Sequence, residues 1–442
     1  MAIMTGADTD SGRPRVRTGG TPATSTGRFL RSRPRWVALR RRTVTVTLPV
    51  LLAGCGMGQQ DLTPGTVTLS VPAGMARGAG SEVARGTSWP EPREVSGPAS
   101  ATRTFRRVTR IRGEISPKSV VASPDGFVTA QNMMYRHTVT VYDRDHELVR
   151  TISDRVVPSR FGYRRWNTPV RGAPVEASFS PDGDHLWVSN YSMFGAGFGP
   201  EGTDDCTPAS GFDRSFLYRI STATWQVTDI ALVGSVPKYV QASPDGRYVL
   251  VSNWCSWDLS IVDTRLMRQV ARVPLGRYPR GIAISPDGSR AYVAVMGSTR
   301  VAVVDVRRAL STETRGRALS WIENVGSGPR HLNISPDGRY LYVTLNADGR
   351  VAKIDTRRRR VVARVSTGQQ PRSAVLSPDG TALFVVNYAS STVSRVRTRD
   401  MTEVETVAVD HHPIGITYSP LSQEIWVASY VGSITVFADE AA

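Results

Sequence analysis

The chain has 442 residues, 40% apolar and 21% charged, with a formal net charge of +17. That balance is ordinary for a globular protein and excludes a chain too polar to bury a core. Residues 1–54 hold ten Arg and two acids, so +8 of the charge lies in a segment read below as removed, and +9 stays with 55–442. Lysine occurs only at Lys118, Lys238 and Lys353, so the excess is carried by arginine. It fits either a solvated basic surface or an anionic partner such as polysaccharide, lipid headgroup or nucleic acid.

The first feature in chain order is an export signal. Arg40-Arg41-Arg42 precedes the apolar run TVTVTLPVLLAG, residues 43–54. Twelve residues fall short of the roughly 20 a spanning helix needs. A basic run, a short apolar stretch and small residues mark a signal peptide. The end of the run, Leu52-Ala53-Gly54-Cys55, resembles a bacterial lipobox. That resemblance implies lipidation of Cys55, cleavage before it, and anchoring to the outer side of the bacterial cytoplasmic membrane. Residues 1–36 are too long and Arg-rich for an ordinary leader, so translation is expected to start near Val37. Residues 55–104 read as the lipidated Cys and a flexible linker, being rich in Gly, Pro, Ser, Thr and Ala without strand or helix periodicity.

From residue 105 the chain repeats. Ser-Pro recurs at 123, 180, 243, 285, 335, 377 and 419, giving a base period of 42, and the first six copies continue as SPDG. A second proline stands six residues before each serine: Pro117, Pro174, Pro237, Pro279, Pro329, Pro371 and Pro413. Each unit holds four short Val/Ile/Tyr-rich runs bounded by turn residues, as in GIAIS, RAYVAV, RVAVVD and ALSWIENV between 281 and 325. Four strands per 42 residues fit a propeller blade, and seven such sheets bury their faces only by stacking around an axis. The last copy supplies three strands, and FRRVTRIRGEISP (105–117) resembles a fourth. The expected fold is therefore all-β: a seven-bladed β-propeller of four-stranded antiparallel blades over 105–442, closed by an N-terminal strand completing the last blade.

The units also resemble the YVTN-type, YncE-like, propeller family. The residues carrying this are Pro371-Arg372, SPDG at 377–380, LFVVNYASSTVSRV at 383–396 and SPDGRYVLVSN at 243–253. The resemblance covers roughly 105–437 and implies fold more than activity. It suggests single-stranded DNA as one ligand.

Two insertions break the period, 153–173 before blade two and 191–214 inside it. Propeller topology puts both on one face, while the extra residues near 308–317 fall on the other. Loops of this length in a compact domain are usually functional or disordered. The residues after the seven prolines are Lys118, Val175, Lys238, Arg280, Arg330, Arg372 and Ile414. Five cations at equivalent positions around the channel mouth would gather an anion. Tyr191, Trp254, Tyr388 and Tyr430 stand on facing loops and could stack on bases or sugar rings. The bland alternative is that these consensus residues only cap blades. Glu176 and His331, one position further along, are the candidates for acid–base work.

Gly197 to Gly202 spells G-x-G-x-x-G but opens no helix, and His411-His412 lacks further ligands, so no cofactor or metal is expected. Cys206 and Cys255 remain after Cys55 is assigned to lipid; an exported chain favours a disulfide between them over two free thiols. The sum is a monomeric binding module on the membrane's outer side. It would take an anionic ligand, a glycan, single-stranded DNA or a protein partner on the insertion-bearing face. The alternative is a propeller enzyme of lactonase or lyase type at the channel mouth.

Overall fold

The structure, a computed structural model, describes residues 97–441. The export segment 1–54, the lipobox with Cys55 and the linker as far as residue 96 lie outside the described residues.

Seven four-stranded antiparallel sheets form a ring. Blades are numbered by their inner strands: Ser119–Ala122, Pro174–Phe179, Pro237–Ala242, Pro279–Ile284, Pro329–Ile334, Pro371–Leu376 and Pro413–Ser419. Each inner strand touches those of both neighbours, and blade seven meets blade one. Inner and second strands are largely buried, as in Ala382–Asn387, whereas outer strands alternate exposed and half-buried positions, as in Arg360–Ser366. Burial between blades supplies the stabilisation. Phe384, fully buried against Ile416, Ile425 and Phe437, contributes about 2–3 kcal/mol.

The recurrence of SPDG has a local cause. In blade three the Ser243 hydroxyl donates to Asp245 Oδ1 (2.6 Å) and accepts from the Tyr248 amide (2.9 Å). Gly246 turns the chain at φ +67°, where a β-carbon is unfavourable. The same serine-to-aspartate bond recurs at Ser180, Ser285, Ser335 and Ser377. It closes the hairpin between the first two strands on one face, the turn face. The insertions rise on the opposite face.

Blade seven closes as expected, with Arg103–Ile111 pairing antiparallel to Ser433–Ala441. The folded chain begins earlier than residue 105, which corrects the linker boundary. Ser100 and Ala101 are buried, and their amides donate to Asp379 Oδ2 (2.9 Å) and Thr381 Oγ1 (3.1 Å) in the blade-six turn. Below them Asp439 Oδ1 meets Arg395 Nη1 at 2.6 Å, and its other oxygen accepts from the Ser100 hydroxyl (2.8 Å) and the Tyr418 hydroxyl (3.0 Å). The N-terminal segment therefore enters the propeller on the turn face.

The two insertions interlock. Arg171 and Phe194 form a backbone bridge, and Trp166 stacks on Phe198 at 5.1 Å. Tyr163 Oη accepts from the Leu232 amide (3.0 Å), covering the outer strand of blade two. Cys206 and Cys255 form a disulfide, Cα atoms 5.3 Å apart, that ties the second insertion to blade three. The extra residues of blade four include a short helix, Val306–Leu310, capped by Asp305 on the turn face.

Candidate functional site

The residue after each proline is not paired like its neighbours. In blade three Pro237 faces Asn253 and Tyr239 faces Ser252, so Lys238 is an extra residue. The same register shift occurs after Pro174, Pro279, Pro329, Pro371 and Pro413. A bulge of this kind re-aims its side chain, and here it turns four cations, Lys238, Arg280, Arg330 and Arg372, toward the channel; Lys118 precedes the first paired residue of blade one, Ser119. Gly281 allows the close approach behind Arg280, since a β-carbon there would stand 2.8 Å from the Arg330 carbonyl oxygen.

The cations lie below the surface. Lys118, Lys238 and Arg330 are each 4% exposed and Arg280 is 7% exposed, while Arg372 is half-buried. Sequence placed these residues around the mouth; the structure adds that four of them are buried. The four facing aromatics line it instead of standing free as stacking platforms. Lys238 Nζ lies 4.4 Å from the Tyr191 ring centroid and 5.1 Å from that of Trp254. Arg280 lies 5.9 Å from Trp254, Arg372 3.5 Å from Tyr388, and Lys118 5.8 Å from Tyr430. Trp254 already stacks on Tyr278 at 4.4 Å, and Tyr388 on His412 at 4.5 Å. Cation–π contact compensates a desolvated cation only in part.

Counter-charge is scarce. Asp204, from the second insertion, meets Lys238 Nζ at 2.5 Å and accepts from the Tyr191 hydroxyl at 3.2 Å. Arg330 Nη1 donates to the Arg372 carbonyl. Among the described residues Lys118 Nζ has no hydrogen-bond partner, and neither does Arg372 Nε. Burial, then the charges of Arg280 and Arg330, pushes the Lys118 ammonium well below its ordinary range. Burial, then Arg280 and Arg372, does the same to Arg330. Burial lowers Lys238 to about 8 despite the pull of Asp204.

Glu176 and His331 lie one residue further along their inner strands, within electrostatic reach of the mouth cations. They line a cavity of about 540 Å³ that runs from the inner strands to the turn face, with Ser119, Tyr239, Asn333 and Thr417. His331 Nε2 is 3.0 Å from the Tyr239 hydroxyl, and its Nδ1 is 3.5 Å from Asn333 Nδ2. Burial and the cations Arg330, Arg280 and Lys118 hold its imidazole down to about 3, far from the value that suits a general base at neutral pH. Burial raises the Glu176 carboxyl, opposed by Lys118, Arg280 and Arg330. Among the described residues the two side chains form no hydrogen bond to each other.

Sequence reasoning missed Asp204 and Tyr278, and weighed His412 only as half of a ligand-poor histidine pair. The bulge at the proline, a fixed proline-to-serine spacing with one residue too many for regular pairing, is the signal that could have marked the inward turn of the cations.

Comparisons with known proteins agree with the architecture. Residues 317–429 match the Cytochrome D1 heme domain family. A stretch of 120 residues, 27% of the chain, is 24% identical to Antigen Lp49 of Leptospira interrogans. The match spans 22% of that relative's length. Hydrazine Synthase of Kuenenia stuttgartiensis superposes with a TM-score of 0.56 at 20% identity, covering 75% of this chain and 98% of that one. The last likeness establishes the propeller fold. The channel residues do not fit a haem. His331 is the one histidine lining the cavity among the described residues, and both its ring nitrogens already face polar partners.

Proposed function

We propose that this chain is an exported, lipid-anchored propeller of the YVTN type that acts as a binding module. Its site is the channel mouth on the insertion-bearing face, and its ligand is an anion. One observation carries the reading: five cations from five blades converge there, four of them at most 7% exposed, and the nearest carboxylate of the mouth serves Lys238. Like charges withdrawn from water are costly unless an opposite charge joins them.

The test is a binding screen of the full chain, disulfide intact, against oligonucleotides, acidic glycans and peptidoglycan fragments at two salt concentrations. Affinity should fall with salt and should be lost when Lys118, Lys238, Arg280, Arg330 and Arg372 are replaced together by Gln or Met. Undiminished binding by that variant removes the mouth as the site.

A further inference from the structure

Resting on the reading that the mouth binds anions, we infer that it takes a ligand end-on, through a single terminal phosphate-type oxyanion, and that Asp204 is a built-in competitor for that place.

Burial argues for end-on entry. A polymer lying across the face contacts cations that project from it, whereas Lys118, Lys238, Arg280 and Arg330 are 4–7% exposed. They are flanked by Tyr191, Trp254 and Tyr430. A compact terminal group needs a narrower opening to reach them than a continuous backbone does.

Unmet hydrogen bonding argues for a tetrahedral oxyanion. The Lys118 ammonium has no acceptor among the described residues. Arg280 makes no side-chain hydrogen bond or ion pair there, and its guanidinium lies 5.9 Å from the Trp254 ring. Arg330 spends one nitrogen on a backbone carbonyl. An ammonium and two guanidinium forks offer more donors than one carboxylate has oxygens, and guanidinium forks match phosphate oxygens in pairs. Charge points the same way: a dianion offsets more of the cluster than a monoanion does, and Glu176 is disfavoured as a counter-ion by its own burial.

Asp204 shows how an oxygen sits at the rim. Its Oδ1 lies between Lys238 Nζ (2.5 Å) and the Tyr191 hydroxyl (3.2 Å). Its carbonyl accepts from Trp254 Nε1 (2.9 Å), and the disulfide two residues on fixes the loop. Yet the carboxylate is 75% exposed, so an incoming oxyanion can displace it from Lys238 without unfolding the loop.

The test titrates the full chain with inorganic phosphate, with acetate, and with one short oligonucleotide carrying either a 5′-phosphate or a 5′-hydroxyl. The expected result is phosphate binding at least tenfold tighter than acetate and a tenfold advantage for the 5′-phosphorylated strand. Arg280→Gln with Arg330→Gln should weaken phosphate at least tenfold, and Asp204→Asn should strengthen it severalfold; melting curves confirm that both variants fold. Equal affinity for the two oligonucleotides, lost in the cation variant, overturns the end-on inference and leaves the anion-binding reading standing. Absence of binding to every probe at low salt overturns both. Weaker phosphate binding by Asp204→Asn overturns the competitor role.

Discussion

Removing the charge of Asp439 tests how the ring is closed. Its side chain and that of Arg395 are both fully buried, 2.6 Å apart. Arg395 also donates to the Ser100 carbonyl (2.6 Å) and lies over the rings of Phe105 and Phe384. Asp439→Asn keeps the shape but leaves the Arg395 guanidinium with Glu405 alone, 3.3 Å from Nε and partly exposed. Breaking one side of a buried pair costs about 3–5 kcal/mol, and for a domain of this size that lowers the midpoint by roughly 5 °C. The same change loosens Ser100, so amide exchange should rise first in Arg103–Ile111, the strand that completes blade seven. Calorimetry with hydrogen-exchange mass spectrometry reads both. Replacing the pair together, Arg395→Met with Asp439→Leu, should recover only part of the loss: Arg395 is no longer stranded, but the buried Arg103, 3.7 Å from Asp439, still loses its carboxylate. A midpoint within 1 °C of the parent for Asp439→Asn, or exchange unchanged in that strand, refutes the clamp.

His331, held neutral to about 3, takes up its proton later than the unfolded chain does. Stability should therefore fall as pH drops from about 6.5 toward 3, by about 1.4 kcal/mol per unit for this proton, and His331→Gln should make that limb shallower by one proton in acid titration melts. Lys238, lowered to about 8, loses its charge as pH rises through that value. Phosphate affinity should drop there in calorimetric titration, and Lys238→Arg should remove the drop. Lys118→Met removes a buried cation without a hydrogen-bond partner among the described residues. In anion-free buffer it should stabilise by about 1–3 kcal/mol, and added phosphate should raise its midpoint less than the parent's. Opening the Cys206–Cys255 bond, whose partners are 49 residues apart, should cost about 4 kcal/mol in the chain-entropy account, read by melting with and without reductant.

The propeller was legible because each blade carries its own closing device. The serine hydroxyl, the aspartate and the left-handed glycine of SPDG act within one turn, so six of the seven copies keep them and the seventh, SPLS, keeps only the Ser-Pro. Strand order and closure follow from repeat count, since three strands at one end and one at the other have a single way to pair. The site was legible in identity and not in depth. Lys118, Lys238, Arg280, Arg330 and Arg372 share a position in the repeat, but the last four are turned inward by a one-residue bulge that the hydrophobic pattern does not display. Asp204 lies in an insertion with no template in the other blades, so nothing in the period places its carboxylate on Lys238. Ser100 and Ala101 sit in a stretch whose composition reads as linker, and only the tertiary contacts with Asp379, Thr381 and Asp439 order them.

Crystals of the full chain grown with bromide and measured at its absorption edge would locate an anion by anomalous scattering. The account requires a peak within hydrogen-bonding distance of Lys118 Nζ and the guanidinium groups of Arg280 or Arg330. A channel mouth without such a peak, its cations paired by side chains of the protein itself, would contradict it.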